Sequence, residues 1–163
     1  MHLDATLEGM SIDEIVDFVT SLGGVLVLRP APGDGSPEAA WGDVFLHHAP
    51  DGVVPRTQPF ATVVTRDQPG DRSSRLDRPG TFRVNVGAGR EGFAALLGRD
   101  PREPAGEDVD PGAADTLLAH PVYGELGWVC VVDPGPRTEA LVRDLLRDAH
   151  TRARVRYERR GRA

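Results

Sequence analysis

Arg83 and Asn85 are the residues whose types and spacing say most about chemistry. They lie two apart in TFRVNV (81–86), a run that reads as a strand. Both side chains therefore leave on one face, while Phe82, Val84 and Val86 leave on the other. A guanidinium on a concave sheet face meets a carboxylate or phosphate through two parallel N–H bonds. A small anionic molecule is the expected partner; the alternative is an ion pair from Arg83 to Asp43 or Asp67 across strands. Arg75, Asp77 and Arg78 add charge to the same region of the chain.

Other candidates are weaker. Gly87-Ala88-Gly89-Arg90-Glu91-Gly92 matches GxGxxG between a strand and a helix. A dinucleotide site needs a βαβ unit around that motif, and none is predicted. What survives is a generic anion site at the helix start, built from backbone N–H groups and Arg90. His47 and His48 are adjacent, so on a strand they point to opposite faces, and no HxH, HExxH or Cys/His spacing appears. No metal and no cofactor is expected. Asp43 and His47 share a strand face and form a conceivable acid–base pair. Cys130 sits mid-strand, where a free thiol is inert core, and Ser73-Ser74 lack a GxSxG context. Trp41 and Trp128 each open a strand and are either pocket wall or core.

The elements that must position these residues follow from periodicity. Ser11 with Glu14 makes a capping box, and Ile12, Ile15, Val16, Val19 and Leu22 recur at helical spacing until Gly23-Gly24. VLVLRP, WGDVFLHH (41–48), FATVVTRD (60–67), TFRVNV and WVCVVD (128–133) read as five strands. A short helix follows TFRVNV, and a long one begins at Pro136, with Leu141, Leu145, Ala149 and Ala153 on one stripe. Connections between strands two, three and four have no room for helices, so pairing there is antiparallel. The expected fold is α+β: a curved, mainly antiparallel sheet of about five strands with N- and C-terminal helices packed on one face. It forms one domain over residues 1–163, with 1–10 a flexible arm, 99–115 an acidic mobile loop and 156–163 a basic tail.

The strings WGDVFL, PFATVVTRD, SRLDRPGTFRVNVGAGREGFAALLG and HPVYGELGWVCVVDPG resemble an uncharacterised actinobacterial domain family over roughly residues 11–155. A looser likeness extends to the MmcQ/YjbR-like fold, through the opening helix, antiparallel sheet, Trp-led strand and closing helix. That fold has been suggested to bind DNA. The resemblance implies a shape and carries no catalytic residue with it.

Composition narrows the classes. All 19 basic residues are Arg, a mark of a high-GC genome. Net charge is −6, yet residues 151–163 hold six Arg against one Glu, so the body is strongly acidic. An acidic body disfavours a broad nucleic-acid surface. One Cys excludes an internal disulfide framework and agrees with a reducing compartment. No stretch approaches the roughly 18 apolar residues of a membrane span, and no basic-then-apolar leader opens the chain, so a cytoplasmic location is expected. Three functions compete. The first is a module binding a small anionic ligand through Trp41, Asp43, Arg83, Asn85, Arg90 and Trp128. The second is a DNA-binding protein, and the third an enzyme with Asp43 or His47 as general base.

Overall fold

A computed structural model of the chain describes residues 9–104, 106 and 109–161. Helix α1 (Ile12–Ser21) begins at Ser11, whose hydroxyl accepts from the Glu14 N–H while the Glu14 carboxylate accepts from the Ser11 N–H. It ends at two glycines with positive φ, Gly23 and Gly24, which turn the chain into β1 (Val25–Leu28). Strands β2 (Val44–His48), β3 (Ala61–Val64) and β4 (Arg83–Gly87) follow, then helix α2 (Gly89–Leu97). The hairpin of β5 (Leu117–Ala119) and β6 (Trp128–Val132) leads to the long helix α3 (Glu139–Gly161). Asp115 secures the start of α3: its carboxylate accepts from the backbone N–H groups of Gly135, Arg137 and Thr138 and from the Thr138 hydroxyl.

The strands form one sheet in the order β1-β2-β3-β4-β6-β5, every named pair antiparallel. The α+β class, the terminal helices and the antiparallel pairing match the expectation from sequence; the strand count is six instead of five. The added strand is β5. Its three residues follow a Pro/Gly-rich acidic stretch, too short a run to show alternation. The strand read at 41–48 starts only at Val44, because Glu38–Ala40 form a 3-10 turn and Gly42, at φ 91°, redirects the chain after Trp41. At the other end α3 continues through Gly161, so most of the segment read as a basic tail is helical. Of the N-terminal arm, residues 1–8 lie outside the described residues. No described helix is long and apolar enough to cross a membrane.

Alternation divides the sheet cleanly. Val44, Leu46, Ala61, Val63, Val84, Val86, Val129 and Val131 face the helices, where Ile15, Val19, Phe93, Val142, Leu146 and Ala149 close over them. Burying β-branched and aromatic side chains there supplies the main drive to fold, about 1.5–3 kcal/mol per large side chain. Phe45, Thr62, Val64, Arg83, Asn85 and Trp128 leave on the opposite face, which none of the helices α1–α3 covers.

Candidate ligand-binding site on the second sheet face

Loops and the 3-10 turn at Glu38–Ala40 border this second face, and among them lies an open cavity of about 620 Å³. Phe45, Val64, Trp128, Val122 and Tyr123 give it apolar and aromatic walls; Pro59 and Pro69 contribute to its rim. Gly87 is paired with Trp128 across β4 and β6. A Cβ on Gly87 would lie 3.4 Å from the indole, so a bare backbone lets the ring approach the strand closely.

Arg83 is the floor. Only 1% of it is exposed, and its donors are nearly all used inside the protein. Nε donates to Asn85 Oδ1 at 2.7 Å, and Nη1 to Asp71 Oδ1 at 3.0 Å and Ser74 Oγ at 2.9 Å. Nη2 donates to Asp71 Oδ2 at 2.7 Å and lies 3.2 Å from His120 Nε2. Asn85 passes the network on, donating through Nδ2 to Thr62 Oγ1. Burial by itself raises the Asp71 pKa, but the hydrogen bonds and charge of Arg83 outweigh it and hold the carboxyl below its ordinary range. The guanidinium thus takes a bidentate carboxylate from its own chain. The ion-pair alternative holds in kind, with its partner corrected from Asp43 or Asp67 to Asp71. Asp67 and Asp77 are engaged otherwise: Asp67 accepts from the Leu76 N–H and Asp77 from the Asp67 N–H.

Asp43 enters the cavity from the start of β2. Its Oδ1 accepts from the N–H and the hydroxyl of Thr65, at 3.0 and 3.1 Å. Its Oδ2 has no hydrogen-bond partner among the described residues. Burial raises its pKa, against the Thr65 hydrogen bonds and the charges of Arg66 and Arg83. His120 is 5% exposed, and its pKa falls to about 4, through burial first and the Arg83 charge second.

Four of the six residues read from sequence therefore line one cavity: Asp43, Arg83, Asn85 and Trp128. The other two do not. Trp41 is absent from the lining; its carbonyl accepts from Arg66 Nη2, and its indole N–H is buried without a partner among the described residues. Arg90 belongs to α2, which packs on the helix-covered face through Phe93. Its side chain is 82% exposed and pairs with Asp100, in a separate surface cleft with Arg102 and Glu125. The glycine motif around it sits in a sheet with no parallel pair of named strands, so the dinucleotide architecture is missing.

The proposed pairing of Asp43 with His47 also fails on geometry. Both leave on the same face, but Phe45 stands between them and four strand residues span about 13 Å. Cys130 is buried and its thiol is pushed up to about 12 by burial, which fits an inert core thiol. Among the described residues no group of three or more His, Cys, Asp or Glu could hold a metal ion.

Asp71, Ser74 and His120 went unrecognised as site residues. Asp71 and Ser74 come from the 65–80 loop, and the one available signal was that a mid-strand Arg needs a carboxylate. His120 precedes Pro121 in a turn, and nothing in its spacing points at Arg83.

A family model for a family of unknown function, DUF6194, matches residues 10–162. The chain belongs to this family. No curated protein and no solved structure matches it. The match spans all six strands and the cavity, so the Arg83 network lies wholly within the family domain.

Proposed function

We propose that this DUF6194 protein binds a small, largely apolar organic molecule of low net charge in the cavity on the second sheet face. The carrying observation is the cavity itself: about 620 Å³, aromatic and aliphatic walls, and a few buried polar groups at its floor. That combination is how small-molecule sites are built. Asp71 occupies the fork of Arg83, which supports a weakly polar ligand over the anion that Arg83 would take if unpaired. Adding an anion beside Asp43 and Asp71 would place like charges together in one cavity.

The test is a thermal-shift screen of neutral ring-sized compounds alongside carboxylates and phosphates. A ligand at 100 times its Kd adds about 2.7 kcal/mol to stability. Val64→Trp fills the cavity from β3, beside its cross-strand partner Arg83, and a cooperative unfolding transition checks that the variant is folded. The reading holds if neutral compounds raise Tm in the wild type and not in Val64→Trp, and it falls if neither protein responds.

A second reading, catalysis with Asp43 as general base, draws support from its buried carboxylate, free Oδ2 and raised pKa. Asp43→Asn should then leave binding intact and abolish turnover of the bound compound. DNA binding rests on Arg154, Arg156, Arg159 and Arg160 near the end of α3; it predicts a steep salt dependence lost on removal of residues 151–163. The Lys-free composition supports an actinobacterial origin, and the single buried Cys130 an intracellular setting.

A further inference from the structure

His120 receives more donors than it can satisfy. Its Nδ1 lies 3.0 Å from the backbone N of Val122 and 3.0 Å from that of Tyr123, both hydrogen-bonded to it. Its Nε2 lies 3.2 Å from Arg83 Nη2, which is also only a donor. A neutral imidazole has one lone pair and one N–H, so three donors converge on a ring able to serve one side. The two backbone N–H groups belong to the turn that closes the β5–β6 hairpin and cannot rotate away. The lone pair therefore stays at Nδ1 and the proton at Nε2. Two donors, His120 Nε2–H and Arg83 Nη2–H, then face each other in the wall of the cavity. A buried donor without an acceptor costs on the order of 1–3 kcal/mol, and one oxygen set beside the pair, on its cavity side and within reach of both nitrogens, would serve both donors.

Building on the cavity reading above, we infer that the ligand is a carbonyl compound whose oxygen accepts from both His120 Nε2 and Arg83 Nη2. The oxygen belongs to a neutral group, a ketone, amide or lactone, because Asp71 already balances the Arg83 charge and Asp43 adds a second carboxylate to the same cavity. The depressed pKa of His120 keeps the ring neutral at physiological pH, so it acts as a fixed donor and not as a cation. Asp43 Oδ2, without a hydrogen-bond partner among the described residues, is a further acceptor in the cavity, fit for an N–H or O–H elsewhere on the same molecule.

Two measurements on the full chain test this. Nitrogen-15 NMR of the imidazole rings, without ligand, reads which nitrogen of His120 carries the proton: Nε2 is expected, and a protonated Nδ1 overturns the inference outright. Binding is then followed with acetophenone, its carbonyl-free counterpart ethylbenzene, and benzoate, on the wild type and on His120→Asn. The amide oxygen of that substitution stands where Nδ1 stood, so the Val122 and Tyr123 N–H groups keep an acceptor while the Nε2–H is lost. Acetophenone should shift the His120 Nε2 and Arg83 Nη resonances and bind about tenfold more weakly to His120→Asn. Equal binding of acetophenone and ethylbenzene, with both nitrogens unmoved, overturns the oxygen site and leaves the apolar cavity standing. Tighter binding of benzoate overturns the neutral class. Binding of none of the three overturns the cavity reading itself and this inference with it.

Discussion

The two faces of this sheet are chemically opposite, and on β4 both are buried. On β4, Val84 and Val86 sink into a valine-lined core under the helices, while Arg83 and Asn85, their immediate neighbours, are just as inaccessible on the other side. The helix-covered face is stabilised by shape and apolar area, which many similar side chains supply interchangeably. The second face depends on a connected set of hydrogen bonds in which each member has a specific partner. A packed core tolerates volume-conserving change; a buried polar network does not, since removing one partner strands another.

That contrast can be broken from either side. Phe93 is fully buried against the sheet, and Phe93→Ala should cost about 3–5 kcal/mol, read by urea denaturation with the cavity otherwise unaltered. Asp71→Ala should cost about 3 kcal/mol, nearly as much for a far smaller loss of volume, because it leaves the Arg83 charge buried and unpaired. The sharper form is the double variant Asp71→Ala with Arg83→Met. If charge burial dominates, the double variant recovers much of the single loss; additive losses would mean that the second face, too, is held by packing.

The pH dependence separates the faces again. His120 has an ordinary pKa of 6.5 and a folded one of about 4, so below 6.5 the unfolded chain takes up a proton that the native state refuses. Stability from this group therefore falls as pH drops from 6.5 to about 4, by about 3 kcal/mol in total. His120→Asn should flatten that part of the curve, seen by comparing denaturation midpoints of the two proteins at pH 7 and pH 4. Asp71 acts lower down: its depressed pKa contributes stability above the ordinary carboxylate range that is lost as pH falls through the folded value. The smallest effect is expected at Gly87→Ala, about 1 kcal/mol, as the new methyl meets Trp128 at 3.4 Å; tryptophan fluorescence should report the displaced ring.

Sequence periodicity carried the helix-covered face almost entirely. Alternation in TFRVNV put Phe82, Val84 and Val86 in the core and Arg83 with Asn85 opposite, and the Ser11–Glu14 pair marked the start of α1. The same logic reached Trp128 and Asp43. It could not reach Asp71, Ser74 or His120, which lie 9–37 positions from Arg83 along the chain in loops without a repeat to read. It also overreached at Arg90, where proximity in sequence to Arg83 suggested one site. Helix α2 turns the chain through to the other face, so seven positions of separation become opposite sides of a sheet. Local pattern predicts which face a residue takes; which loops return to cover that face is a property of the whole fold.

The loop that supplies Asp71 is itself closed tightly. Gln68 and Asp71 exchange backbone hydrogen bonds at 3.2 and 2.8 Å around Pro69 and Gly70, and all four residues border the cavity. The counter-ion of Arg83 is therefore built into the border of the cavity. Swinging this edge outward would withdraw a carboxylate from a buried guanidinium, so the same ion pair that neutralises Arg83 also braces this border of the cavity.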